Sequence, residues 1–172
     1  MLSLSDNEFS VLSFLVRNFT ERLTIRNIAQ RLNFSPAGVF NILKKLEKHG
    51  IVNGQRFGTG LFYSINFESK IAGHLAEIVL LYSEEKIDVD IEKLKSANAA
   101  IIGEKTLILV TDSITTLDVS IPGVNAMVKT EDEIIDLLRK KDPQILRILK
   151  NGIVLFGEDK FIGIIKKCSS GF

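Results

Sequence analysis

Residues 23–52, LTIRNIAQRLNFSPAGVFNILKKLEKHGIV, decide the reading of the whole chain. Thr24 stands before an apolar-periodic run, where its hydroxyl can accept a backbone N–H of the first helical turn. Ile25, Ile28, Ala29 and Leu32 then fall on one helical face. Asn33-Phe34 makes a turn. Ser35-Pro36 opens a second helix, a cap followed by proline at the first helical position, where its missing N–H costs nothing. Val39, Ile42, Leu43 and Leu46 are that helix's apolar stripe, and Gly50 stops it.

Working outward, residues 5–19 predict a helix upstream. Ser5 caps it with Glu8 three positions on, a capping-box spacing, and Phe9, Leu12, Leu15, Val16 and Phe19 recur at helical intervals. Downstream, IVNGQRFGTGLFYSINF, residues 51–67, holds two β-prone runs around Gly58-Thr59-Gly60, a hairpin signal. Helix, helix, short turn, helix, hairpin is the order of a winged helix-turn-helix. The run 23–52 resembles the DNA-binding core of the MarR- and ArsR-type regulators, with the likeness extending over 5–67. The resemblance implies that the third helix enters the major groove and that the wing touches the DNA backbone or minor groove.

With the apolar stripe turned inward, Ser35, Pro36, Ala37, Asn41, Lys44, Lys45 and Lys48 are left outside. The start of a recognition helix meets base edges, and small residues there permit close approach. Asn41 suits adenine or a phosphate oxygen. Lys44, Lys45 and Lys48 are spaced for phosphates, which makes affinity salt-dependent. Arg56 and Thr59 are the wing candidates, and Arg26 and Arg31 the backbone candidates on the supporting helix. Phe40 and Phe57 could stack on a partner, but both are assigned to the core. The competing reading of the lysines is a solvated face.

Composition agrees with a folded protein: 172 residues, 45% apolar and 25% charged, with 12 Gly and only 3 Pro. Net charge +1 excludes a uniformly basic coat, but the charge is segregated. Residues 1–70 carry nine Lys and Arg against five acids, a balance of +4; the rest carries 13 against 16, a balance of −3. The lone cysteine, Cys168, excludes an intramolecular disulfide and cysteine-rich zinc sites. Lys166 and Lys167 beside it could lower its pKa, but it is read as a tail thiol without a role. The start MLSLSDNEFS has no basic n-region, and no apolar run approaches the ~20 residues of a membrane helix. A soluble cytoplasmic protein without membrane partners is expected.

Residues 67–83, FESKIAGHLAEIVLLYS, predict a further helix with Ile71, Leu75, Ile78, Val79 and Tyr82 on one face and Ala72 and Ala76 nearby. The stripe suits either a homodimer through 67–83 or packing on the C-terminal part of the same chain. His74 and His49 form no acid–His–His cluster for a metal. EEKIDVDIEKLKS reads as a polar linker entering a short helix. Beyond it, 97–103, 105–112 and 124–130 read as buried strands, and Thr130-Glu131-Asp132-Glu133 as a capping box opening a helix. Asp142-Pro143 restarts a helix, 151–161 is a strand and turn, and FIGIIKK is a terminal helix or strand.

The run 127–161, MVKTEDEIIDLLRKKDPQILRILKNGIVLFGEDKF, resembles the later half of the small nucleotidyltransferases of the DNA polymerase β-like superfamily. That resemblance implies a Gly-Ser after the first strand, an Asp-x-Asp pair on the next and a third acid beyond, which together hold Mg²⁺ on the nucleotide phosphates. Here the first strand ends Ile102-Gly103-Glu104, the pair's positions fall near Glu104 and Thr106, and the third strand, 124–128, has no acid. The phosphate-binding loop has shrunk to a turn. Asp112 and Asp118 suit turns or surface. No P-loop, nucleophile elbow or dinucleotide fingerprint occurs.

The expected architecture is therefore α+β. It has a winged helix-turn-helix at 1–67, a helical connector at 68–96 and a small mixed α/β, nucleotidyltransferase-like domain at 97–172, read as inactive. The expected function is a transcriptional regulator on double-stranded DNA. It is not an enzyme, needs no cofactor or metal, and uses its C-terminal domain for assembly or a small-molecule effector. A divergent nucleotidyltransferase targeted by the winged helix, and a winged-helix adaptor that docks proteins, are the alternatives.

Overall fold

A computed structural model describes residues 3–82, 87, 89–94, 96–112 and 121–169. The chain divides into two compact units, Met1–Val79 and Leu80–Phe172.

In the first unit, α1 (Asp6–Arg17), β1 (Leu23–Thr24), α2 (Ile25–Leu32), α3 (Pro36–Lys48), β2 (Val52–Phe57) and β3 (Gly60–Ile65) follow in order, and α4 (Lys70–Leu81) begins there and ends two residues past the boundary. The caps form where the sequence places them. Ser5 and Glu8 make a reciprocal capping box, Thr24 and Asn27 another, and Ser35 accepts the Gly38 N–H with Pro36 in the first turn. Asn33, in the left-handed conformation at φ 55°, ends α2, so the chain can reverse in two residues. Val11, Leu12, Val16, Ile28, Val39, Leu43 and Leu46 are fully buried, and these apolar faces hold the three helices together. Phe9 and Phe19 are only half-buried. β1 was not visible in the sequence, since two residues carry no period. It pairs antiparallel with β3, giving a three-stranded sheet in the order β1-β3-β2.

α4 departs from its expected stripe. Ala72, Ala76, Val79 and Leu80 are buried, whereas Ile71, Ile78, Leu81 and Tyr82 are exposed. The small side chains allow close packing inside; of the predicted face, Val79 is buried, Leu75 is half-buried, and Ile71, Ile78 and Tyr82 are turned to solvent.

The second unit contains β4 (Ala99–Gly103), β5 (Thr106–Thr111), β6 (Asn125–Thr130), α5 (Glu131–Arg139), α6 (Pro143–Asn151), β7 (Ile153–Phe156) and α7 (Glu158–Ser169). Before them, the expected linker and short helix fall partly outside the described residues; a single 3₁₀ turn covers Ile91–Leu94. The sheet order is β6-β5-β4-β7, with β5 and β6 parallel and the other pairs antiparallel. Ala100, Ile102, Leu107 and Leu109 pack into one cluster with Leu94 and Ala97. By strand alternation Ile101, Ile108 and Val110 face the opposite side, and α6 and α7 pack on β4. With both faces covered, β4 and β5 read as unbroken apolar runs.

Three expectations are corrected here. β6 is a half-buried edge strand rather than a buried one, because only β5 pairs with it. FIGIIKK is helical, lying within α7, whose Phe161, Ile162, Ile164 and Ile165 are buried. Cys168 is not a loose tail thiol: it is 2% exposed, and burial pushes its pKa up. Asp118 lies outside the described residues.

Candidate nucleic-acid interface

α3 and the β2–β3 hairpin carry the residues the sequence singled out. The inward stripe of α3 is Val39, Leu43 and Leu46, with Ile42 half-buried. About 100° of rotation per residue then puts Ala37, Lys44 and Lys48 along the opposite, solvent-facing line, with Asn41 beside it. All four are exposed, as are Ser35 and Pro36 at the helix start. Ser35 has a second task, since its Oγ accepts the Gly38 N–H at 3.1 Å. Arg56 and Thr59 are exposed on the hairpin, and Arg26 is exposed on α2.

The three lysines of α3 differ in their partners. Lys48 makes no ion pair with any other described residue. Lys44 donates to Glu47 Oε2 at 2.7 Å, and this hydrogen bond raises its pKa while lowering that of Glu47. Lys45 turns away from the others to α1. Its ammonium lies 2.8 Å from Glu8 Oε1 and 3.0 Å from the Ser3 carbonyl oxygen. Burial opposes ionisation of Glu8, but the hydrogen bonds from Lys45 and from the Ser5 backbone outweigh it, and the carboxyl is held below its ordinary value. Lys45 therefore fastens α3 to α1. Arg31 is occupied in the same way, paired with Glu21 and stacked 5.3 Å over the Phe14 ring.

Glu47 is a residue the sequence reading missed. Besides Lys44, its carboxylate accepts the Gly54 N–H at 3.2 Å, tying the C-terminal half of α3 to the base of the hairpin. A side chain bridging a helix and a strand has no sequence spacing that announces it. Nearby, Tyr63 is buried and its hydroxyl has no hydrogen-bond partner among the described residues.

Phe40 and Phe57 are corrected: neither is in the core. They are 44% and 47% exposed. Phe40 lies about 100° around the helix from Val39, off the buried stripe, and counting the helical period more strictly would have shown it. Phe57 sits at the end of β2, where Arg22 stacks over its ring at 4.7 Å and Phe62 tilts against it at 6.0 Å. Arg22, also unforeseen, thus places an exposed cation beside the wing.

In the second unit, the β4–β5 connection is a two-residue turn, with Glu104 at φ 49° and Lys105 at φ 66°. Glu104 pairs with Arg147 at 3.2 Å. Asp112 follows the far end of β5, so the strand separates the two carboxylates by about 17–20 Å. Among the described residues, no three of His, Cys, Asp and Glu converge as metal ligands. No helix there is long and apolar enough to cross a membrane.

Comparison with known proteins bears on the first unit. A MarR family model matches residues 2–57. No curated protein matches the chain. The solved structure of CymR (YrzC), the global cysteine regulator of B. subtilis, is similar at 20% identity, over 54% of this chain and 78% of that one, with a TM-score of 0.35. The N-terminal unit is a winged helix-turn-helix, similar over residues 2–57 to the MarR family, and the molecule is a mixed α+β protein.

Proposed function

We propose that the chain is a transcriptional regulator that binds double-stranded DNA through α3 and the β2–β3 wing. The observation that carries the reading is the exposure of this set on a winged helix: Ala37, Asn41, Lys44 and Lys48 on α3, with Arg56 and Thr59 on the hairpin. The small residues and Asn41 belong to the N-terminal half, which meets base edges, and the lysines to the phosphate-bearing half. Glu47 holds helix and wing in a fixed relation before DNA arrives, so less ordering is required on binding.

The exposed Ile71, Ile78 and Leu81 of α4, with Tyr82 just beyond it, support a homodimer through this helix. Two copies so joined present two recognition helices to one duplex. The second unit we read as a nucleotidyltransferase-like scaffold without chemistry. Its β4–β5 turn has two residues where a phosphate-binding loop would run, and Glu104 and Asp112 stand too far apart to share a cation.

Fluorescence anisotropy tests the DNA reading. The full chain is titrated against a duplex it has itself enriched from a randomised pool, and against the scrambled duplex, at two salt concentrations. Tighter binding to the enriched duplex that survives the higher salt is the expected result. Equal, salt-quenched binding to both duplexes, or none, removes the sequence-specific regulator and leaves a protein-docking winged helix. For the second unit, transfer of label from a nucleoside triphosphate in Mg²⁺, lost in Glu104→Gln, would overturn the inactive reading.

A further inference from the structure

Phe40 is a large apolar ring placed where a DNA-reading helix would meet base edges. It lies in the N-terminal half of α3, between Pro36 and Lys44 at one-turn intervals, and next to Ala37 and Asn41, all of them exposed. At 44% exposure it contributes little to the core that Val39, Leu43 and Leu46 build. No ring or cation contact engages it among the described residues, in contrast to Phe57, which Arg22 and Phe62 hold. Exposing such a ring is unfavourable in the free chain, and covering it is favourable in a complex.

The major groove offers an apolar ring one distinctive feature, the C5-methyl group of thymine. We infer that Phe40 is a specificity-determining residue that packs on a thymine methyl, while Asn41, about 100° around the helix, reads a polar base edge beside it. The inference rests on the DNA-binding reading and adds a base preference to it. It assigns a purely apolar contact, distinct in kind from the charge contacts of Lys44 and Lys48. Such a contact discriminates between sequences yet leaves the salt dependence of binding alone.

The test uses the full chain and a duplex enriched from a randomised pool, compared with the same duplex carrying uracil at every thymine position. Uracil removes the methyl and keeps the pairing. Wild-type protein should bind the thymine duplex about four-fold more tightly, the equivalent of one buried methyl. Phe40→Ala should bind the two duplexes equally, and Phe40→Leu should keep part of the preference. The salt slope should be the same for all three proteins. A thymine preference retained in full by Phe40→Ala would assign the methyl contact to another residue and overturn the inference, as would wild-type indifference to uracil. Failure to enrich any duplex would overturn the DNA reading itself, and this inference with it.

Discussion

The molecule contains two antiparallel hairpins of nearly equal length and opposite character. In β2–β3, Phe57 pairs with Gly60 across Gly58-Thr59, and from Gln55 to Phe57 every β2 residue is exposed. In β4–β5, Gly103 pairs with Thr106 across Glu104-Lys105, and both strands are buried along almost their whole length. One is an arm, held at its base by Glu47. The other is the centre of a sheet covered on both faces. A hairpin's backbone pattern therefore says nothing of its role. The side chains it leaves uncovered do: the first hairpin exposes Gln55, Arg56 and Phe57 along β2, whereas the second exposes only its turn residues Glu104 and Lys105.

The largest expected effect tests burial. Leu109→Ala, at a fully buried position of β5, should cost about 2–5 kcal/mol in urea denaturation. Gln55→Ala on the wing should change stability by no more than about 0.5 kcal/mol. Comparable losses would break the distinction.

A smaller effect follows from the polar clamp. The hydrogen bond from Lys44 holds the Glu47 carboxyl below its ordinary value of 4.5, against the opposing effect of its partial burial. A carboxyl lowered on folding contributes stability that is complete above 4.5 and is lost as pH falls through its folded pKa. Acidification below 4.5 should therefore lower the hydrogen-exchange protection factor of the Gly54 amide while β5 amides keep theirs. Glu47→Gln should reproduce the loosening at neutral pH, with a loss of about 1 kcal/mol. An unchanged Gly54 amide would show that the wing is held by other contacts.

The two turns should respond with opposite signs. Gly58 sits at φ 58°, which costs a side chain about 1 kcal/mol, so Gly58→Ala should lower the melting temperature. Lys105, at φ 66°, already bears that strain, and Lys105→Gly should relieve about 1 kcal/mol or less.

The smallest effect on stability separates two lysines of one helix. Lys48→Ala should leave stability within about 0.5 kcal/mol and lower the salt slope of DNA binding by about one. Lys45→Ala should lower stability by about 1 kcal/mol, through the loss of its contact with Glu8, and change the slope less. Equal slopes for both variants would return Lys45 to the phosphate-contacting set.

The winged helix was largely legible because its signals are local. Ser5, Thr24, Ser35 and Thr130 each cap a helix as read, since cap and recipient lie within three residues. The β4–β5 turn was legible for the same reason. Less so were the outer faces. Ile71 and Ile78 share helical spacing with buried positions, and period alone cannot tell which part of a wide apolar stripe finds a cover. The candidate interface was seen as a set of residue types, but the separate tasks of Lys44, Lys45 and Lys48 were not, because their partners are set by packing.

By itself, then, the sequence determined where most helices start and stop and where the chain turns. These depend on hydrogen bonds and dihedral preferences a few residues long. Tertiary structure decided that Lys45 meets Glu8 across 37 positions, that Glu47 holds the wing, that Phe40 faces solvent and that Cys168 does not. Each of these depends on which distant surface arrives to cover a side chain, and folding settles that for the whole unit at once.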